Sequence, residues 1–367
     1  MKIAILIRKY KRNAGGAERY CVELTEKLAS CHEVHVFTQK HDSDCKNIQF
    51  HKIPQFFEKP RFINQLIFSY LTNRKTAGKF DVVHSHELVS HANIYTIHVP
   101  CFRSILIDIS GIKKFLRVLN TLISPRKISY LWLENQQMNQ VSKKHFISVS
   151  EYLSRNISKC YPKVNNISIA NPGLSKNFAH KKLNFLRKKL QIPSKSFLIL
   201  LVANDFKKKG LETLIKSIEI LENSHLHIIV AGNGKISKQY FSNSIASNLH
   251  FLGPVEDMNS LYSEVDLLVH PTRADTYGMA PLEAMSFGLP VIISNMKFCG
   301  FSENLTDSEA LILDNPRDEL ELSKKISFLV ENSTERMKIA QNGYKKSKSI
   351  NWENTLKRTL EAYSSIL

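Results

Sequence analysis

A chain of 367 residues, 43% hydrophobic and 23% charged, is long enough for about two domains with sizeable cores, and that composition excludes a disordered protein. No stretch reaches about 18 uninterrupted apolar residues, which excludes a transmembrane helix. Six cysteines without close pairs or ligand spacing point to free thiols in a reducing cytoplasm. The formal charge of +18 is uneven: residues 1–180 hold 27 Lys and Arg against 12 Asp and Glu, a net of +15, which leaves +3 for the remainder. A basic first half attracts nucleic acid, anionic lipid or phosphorylated substrates, and charge alone does not choose among them.

The opening MKIAILIRKY has five apolar residues before Arg8 and no cleavage site after them, so it predicts a buried strand and not a leader. A basic loop follows, with Gly15-Gly16 opening a helix whose apolar positions include Val22, Leu24 and Leu28. Glycine there lets a backbone come close to a ligand at a helix N-terminus. A second strand spans 33–38. Asp42 and Asp44, one residue apart beside Ser43 and His41, predict a solvated turn, and no metal is assigned to them.

DVVHSHE (81–87) and NIYTIHV (93–99) are short apolar strands that each end in histidine. Alternate residues share a face of a strand, so His84 and His86 point the same way. Zinc would need a third ligand at recognisable spacing, and none follows. His98, at the end of its strand and facing the crevice, is placed to hydrogen-bond a sugar, with a satisfied, partly buried histidine as the alternative.

Residues 101–133 interleave Ile, Leu, Phe and Trp132 with Arg103, Lys113, Lys114, Arg117, Arg126 and Lys127. Ile112, Phe115, Leu116, Leu119, Leu122 and Ile123 recur at helical spacing, with Lys113, Lys114 and Arg117 on other faces. That is the composition of an interfacial helix on an anionic membrane surface. A surface helix packed on the core explains the spacing equally well. Beyond it come a strand at 144–150, a helix at 151–161, a strand at 166–170, and then a Lys-rich linker, 175–193, with a helical piece.

A strand at 197–203 leads to NDFKKKG, where Lys207, Lys208 and Lys209 crowd the mouth of a helix that begins near Gly210. Like charges at the positive end of a helix dipole are costly unless an anion sits there. The strand at 226–234 leaves through a Gly-rich turn. Next, HPTRADTYGMAPLEAMSFGLPVI (270–292) follows an apolar strand at 266–270 with a polar turn carrying Asp275, Tyr277 and Gly278. Pro281 opens a helix there and Gly288 stops it. A loop between a strand and a helix N-terminus aims backbone N–H groups at a phosphate, while Asp275 and Glu283, as acceptors, suit hydroxyl groups. The combination fits a nucleotide-activated sugar. A strand at 310–313, two helices and a last helix containing Trp352 complete the chain.

An acid, then aromatic-Gly-aliphatic, then a second acid followed by Ala, and then Gly-Leu-Pro-Val, resembles the signature of the retaining glycosyltransferases of family 4, which have the GT-B fold. Asp275 stands where Glu is usual; it keeps the charge and is one methylene shorter. The resemblance implies an α/β architecture of two Rossmann-like domains facing across a cleft: an acceptor-binding domain at 1–175, a nucleotide-sugar domain at 176–350, and a last helix, 351–367, that packs back on the first. Asn171-Pro172-Gly173 resembles the family's boundary element. Residues 251–258 resemble the loop that holds the base through backbone contacts.

The same resemblance assigns roles. Lys208, Lys209, Gly15, Gly16 and the amides of Gly278 and Met279 would bind the donor diphosphate, with Tyr277 beside them. Asp275 and His98 would hold the donor sugar, and Glu283 the ribose hydroxyls. Since lysine and amides carry the charge on the leaving group, no metal or other cofactor is required. The expected reaction is transfer of a sugar from a nucleoside diphosphate donor, taken as UDP-linked, to a glycan or glycolipid acceptor of the lipopolysaccharide core or a similar envelope polymer, in the cytoplasm or peripherally on the membrane's inner face. A capsule, teichoic acid or glycolipid acceptor is the near alternative. Nucleic acid is not an expected partner, because the basic stretch 101–133 is rich in aliphatic residues and not in base-stacking aromatics. A non-catalytic sugar-nucleotide-binding scaffold is the reading from another class.

Overall fold

The computed structural model describes residues 1–12, 14–107, 111–139, 141–174, 185–235 and 245–367, without the side chains of Lys113, Lys114 and Val141. The expected linker start, 175–184, and the faces taken by Lys113 and Lys114 therefore lie outside the described residues.

Fifteen strands are described: β1 Lys2–Leu6, β2 Lys9–Tyr10, β3 Glu33–Thr38, β4 Lys40–His41, β5 Ile48–Lys52, β6 Val82–Ser85, β7 Ile94–Ile97, β8 His145–Ser148, β9 Ile167–Ile169, β10 Phe197–Val202, β11 Leu226–Ala231, β12 Leu249–Gly253, β13 Leu267–His270, β14 Val291–Ser294 and β15 Leu311–Leu313. The chain divides into two compact units, Met1–Gly173 with Trp352–Leu367, and Leu174–Asn351.

The first unit holds a seven-stranded sheet in the order β5-β3-β1-β6-β7-β8-β9, and β2 pairs with β4 in a small separate sheet. Every pairing in the large sheet is parallel. Helices cover both faces of a parallel sheet, so its strands read as apolar runs and not as alternating ones. The last helix, Trp352–Ser364, belongs to this unit, and Trp352, Ala362 and Tyr363 enter the same core as Ile3, Leu24 and Val36.

The second unit has six parallel strands in the order β12-β11-β10-β13-β14-β15. Strand order therefore reverses beside β10 in this unit and beside β1 in the first. In such sheets ligands bind outside the carboxyl ends of the strands at that reversal. Two stretches differ from the sequence reading. Residues 249–253, of which 251–253 read as the start of a base-binding loop, are strand β12, because β11 offers them a parallel ladder. The helix Arg61–Thr76, absent from the sequence reading, has Ile63, Leu66, Ile67 and Leu71 at helical spacing but buries the polar Asn64, Gln65, Ser69 and Thr72 more deeply.

Candidate active site

Two loops at the reversal of the second sheet are locked together by backbone. After β10, the Asp205 carboxylate accepts from the Lys208 amide at 3.0 Å and the Asp205 carbonyl from the Lys209 amide at 2.9 Å. After β13, the Arg273 amide donates to the Lys208 carbonyl at 2.8 Å. Gly210 ends the first loop at φ 76° and precedes the helix Leu211–Leu221. A Cβ there would lie 2.1 Å from the Pro271 carbonyl oxygen, so only glycine lets the loops meet.

Asp275 is held by a third loop as well. Its amide donates to the Phe298 carbonyl at 2.7 Å, and its own carbonyl accepts from the Gly300 amide at 3.1 Å. Both the Lys209 ammonium and the His270 imidazole reach Asp275 Oδ2, the latter at 3.0 Å. Burial alone would raise this carboxyl, but the His270 hydrogen bond and the Lys209 charge overcome it and hold the group well below the usual carboxylate range. Burial pushes His270 the other way, toward the neutral ring, against the pull of Asp275. Sequence reasoning passed over His270, although its place as the last residue of an apolar strand was the available signal.

Gly278, at φ 106°, precedes the helix Met279–Ser286 and has no side-chain cap. Neither this helix nor Leu211–Leu221 has its N-terminus closed by a side chain, which leaves first-turn amides for an anion. The remaining expected residues separate. Lys208 is exposed beside the loop, whereas the Tyr277 ring is 4% exposed and packs on Phe301, so its ring faces the core and not the open site. Glu283 is the fifth residue of its helix and thus lies in the second turn, and its Oε2 accepts from the Tyr262 hydroxyl at 2.9 Å.

His270, Asp275 and Cys299 offer ligand atoms within 4.8 Å of one another, the one cluster with metal-binding chemistry among the described residues. Lys209 already holds the Asp275 oxygen, and burial keeps the Cys299 thiol protonated, donating to the Tyr277 carbonyl at 3.2 Å. A cation would have to displace both an ammonium and a thiol proton.

The corresponding edge of the first sheet carries a cavity of about 420 Å³. Ile7 and Arg8 after β1, His86 and Glu87 after β6, and His98 after β7 line it with Tyr130 and Glu134 of the helix Pro125–Gln137. Arg8 and Glu87 pair at 2.9 Å. Glu134 accepts from the amides of Phe102 and Arg103 and from the Tyr161 hydroxyl. Burial raises its carboxyl, and those donors oppose the rise. His98 Nε2 meets His86 Nδ1 at 3.0 Å, and burial holds the His98 ring down to about 3, so it is neutral at ordinary pH.

His84 and His86 do share a face, their rings 4.5 Å apart. His84 is a satisfied core residue, bonded to the Tyr363 hydroxyl and to Thr96, each at 2.7 Å. Gly15 and Gly16 also belong to this unit. Gly15 is extended at φ 167°, and a Cβ on Gly16 would meet nothing within 4 Å, so the fold itself does not demand glycine at either position.

The expected interfacial segment is three helices, Ser104–Ile107, Gly111–Leu122 and Pro125–Gln137. Ile112 is 80% exposed, Phe115 68% and Leu122 66%, with Leu116, Leu119 and Ile123 exposed beside them. This overturns the core-packed alternative: the apolar side chains face outward. No helix among the described residues is long and apolar enough to cross a membrane.

Family models agree with this geometry. The model described as glycosyltransferase family 4 matches residues 14–176, and that described as glycosyl transferases group 1 matches 184–346. The chain is a family 4 glycosyltransferase. Among its relatives, the lipopolysaccharide glucosyltransferase WaaG of Escherichia coli K12 is 24% identical over 357 residues, covering 93% of each chain. The crystal structure of WaaG, a glycosyltransferase involved in lipopolysaccharide biosynthesis, superposes with a TM-score of 0.80 at 21% identity over 99% of each chain. Anabaena Alr3699/HepE in complex with UDP-glucose superposes with a TM-score of 0.73 at 18% identity over the full length of both chains. These solved neighbours carry the GT-B fold of two Rossmann-like domains, and this glycosyltransferase shares it.

Proposed function

We propose that this family 4 glycosyltransferase transfers a sugar, with retained configuration, from a UDP-linked donor to a lipopolysaccharide core or related envelope acceptor. The observation that carries the reading is the meeting of Lys209 and Asp275 beside two uncapped helix N-termini. Lys208, Lys209 and the amides at Gly278 and Met279 take the charge that develops on the leaving diphosphate, with Gly15 and Gly16 supplying further amides. Asp275 and His98 accept from sugar hydroxyls, and Glu283 from the ribose. The diphosphate oxygen receives the acceptor's proton, and no divalent metal or other cofactor enters this scheme. Support for UDP comes from HepE, whose structure holds UDP-glucose, and support for the acceptor from WaaG, named for lipopolysaccharide.

The first unit would bind the acceptor in its cavity, and the exposed apolar face of Gly111–Leu122, with Arg117 and Arg126 nearby, would rest on the anionic inner face of the cytoplasmic membrane. A thermal-shift screen against UDP, GDP, ADP, CMP and their sugars, with Mg²⁺ or with EDTA, tests the donor. A ligand at about 100 times its dissociation constant adds roughly 2.7 kcal/mol. Stabilisation by UDP-sugars that EDTA leaves unchanged, followed by an NMR assignment of the product's anomeric configuration as retained, is the expected result. No shift with any nucleotide, together with a salt-dependent gel shift on DNA or RNA, would turn the reading toward polyanion binding.

A further inference from the structure

We propose that His270 is a positioning residue for the transfer reaction, one that orients the Asp275 carboxylate toward the donor sugar through its Nε2–H. This rests on the donor-binding reading above and adds a residue to it.

His270 is the last residue of β13, paired there with Ile293 of β14, and is 1% exposed. It therefore sits on a rigid strand and not on a loop. A neutral imidazole has one N–H, and the nitrogen facing the carboxylate is Nε2, at 3.0 Å from Oδ2, so that nitrogen donates. Nδ1 is then a bare acceptor, buried and without a hydrogen-bond partner among the described residues. An unpaired buried acceptor is costly. His84 shows what a histidine kept for packing looks like here, with both nitrogens bonded to hydroxyls. By that standard His270 is a poor core residue, and an aliphatic side chain would fill its slot at less cost. What it gains is one contact, on Asp275.

That contact controls a torsion. The carboxylate of an aspartate turns on a broad, two-fold well, so its plane is free unless something fixes it. Lys209 and His270 converge on the same oxygen and fix it together. Their endurance differs. Lys209 ends a flexible four-carbon stem and is the group a diphosphate would draw away, whereas a buried ring on a paired strand stays. Once the donor is bound, His270 remains to aim Asp275. The shorter reach of Asp, where the family pattern has Glu, makes that aim more demanding, because the carboxylate has one torsion fewer with which to find the sugar.

The test is isothermal calorimetry on the full chain, comparing wild type, His270→Leu, His270→Gln and Asp275→Ala against UDP and against UDP-glucose, UDP-galactose and UDP-N-acetylglucosamine. Wild type is expected to bind one of these sugars more tightly than UDP. His270→Leu should hold UDP within twofold of wild type and bind that sugar at least tenfold more weakly, and His270→Gln, whose amide N–H can replace the ring donor, should recover part of the loss. Retained UDP binding shows that His270→Leu is folded. If the leucine variant binds both ligands like wild type, or loses both equally, the proposal falls while the donor reading stands. If Asp275→Ala binds every UDP-sugar as wild type does, Asp275 contributes no sugar contact and the proposal is overturned. If wild type binds no nucleotide at all, the donor reading itself fails and takes the proposal with it. Should His270→Leu not fold, the glutamine variant and the wild-type ring decide by long-range ¹H–¹⁵N correlation: a proton on Nδ1 and not on Nε2 overturns the assignment.

Discussion

The two sheets reverse their strand order in the same way yet build opposite kinds of site at the reversal. In the second unit, loops meet backbone to backbone, glycines are forced, and a lysine and an aspartate hold full charges against each other. In the first, two neutral histidines, His86 and His98, line the cavity beside the Arg8–Glu87 pair and Glu134, and Tyr20 lies 5.1 Å behind His98. A charged site suits a diphosphate, whose chemistry is fixed. A mixed lining of neutral rings, a paired charge and a buried carboxyl suits a glycan, whose identity varies, and its residues have correspondingly little in common with a transferable pattern.

The sharpest way to break this comparison is Asp275→Ala. It should lower turnover of the UDP-sugar by about 10²–10³, the scale of removing one preorganised polar group from a reaction centre. An unchanged rate in a product assay would move the chemistry away from this site. Next in size is Gly210→Ala, which sets a methyl against the Pro271 carbonyl at a positive φ and should cost about 3 kcal/mol in urea titration. Gly16→Ala is its control, with open space around it, and should stay within about 0.5 kcal/mol.

The histidine layer sharpens the comparison through pH. Burial holds His84 and His98 down to about 3, against an ordinary value of 6.5. Such a ring takes up its proton only on unfolding once the pH is below about 6.5, so stability falls as pH drops from 6.5 toward 3. At pH 5 each ring accounts for at most about 2 kcal/mol. Both tryptophans, Trp132 and Trp352, lie in the first unit, so their fluorescence reports the unfolding of that unit alone. Its midpoint should fall between pH 7 and 5, and less steeply in His98→Gln. Smallest of all, Tyr363→Phe removes the hydroxyl on His84 and should cost about 1 kcal/mol by the same fluorescence, while Tyr262→Phe, which removes one donor to Glu283, should weaken UDP binding by less than about tenfold.

How far the chain could be read follows the same divide. Parallel strands showed as apolar runs, and Lys208, Lys209, Gly210 and Gly278 stood out because positive φ, close backbone approach and a helix dipole leave few residue choices. The charge pair between Lys209 and Asp275, 66 residues apart, was not visible, since only the ladder between β10 and β13 brings them together. Likewise the spacing of Ile112, Phe115 and Leu119 announced a helix but not which way its apolar face would turn, because periodicity records a stripe and not its neighbour. Tyr277 shows the reverse error: a polar tip inside a binding motif suggested a ligand contact, while the ring's apolar area took it into the core.

The discontinuity of the first unit reaches back to the order in which the chain is made. Tyr363 supplies a hydroxyl to a histidine 279 residues earlier, and Trp352 packs edge-to-face on Tyr20 near the start. While the ribosome is still making the second unit, the first sheet is already present but its core stays open on the side that the closing helix will cover. A nascent or prematurely ended chain would therefore expose its histidine layer and Tyr20 to chaperones and proteases. The segment Trp352–Leu367 thus closes the first core only after the whole second unit has been synthesised.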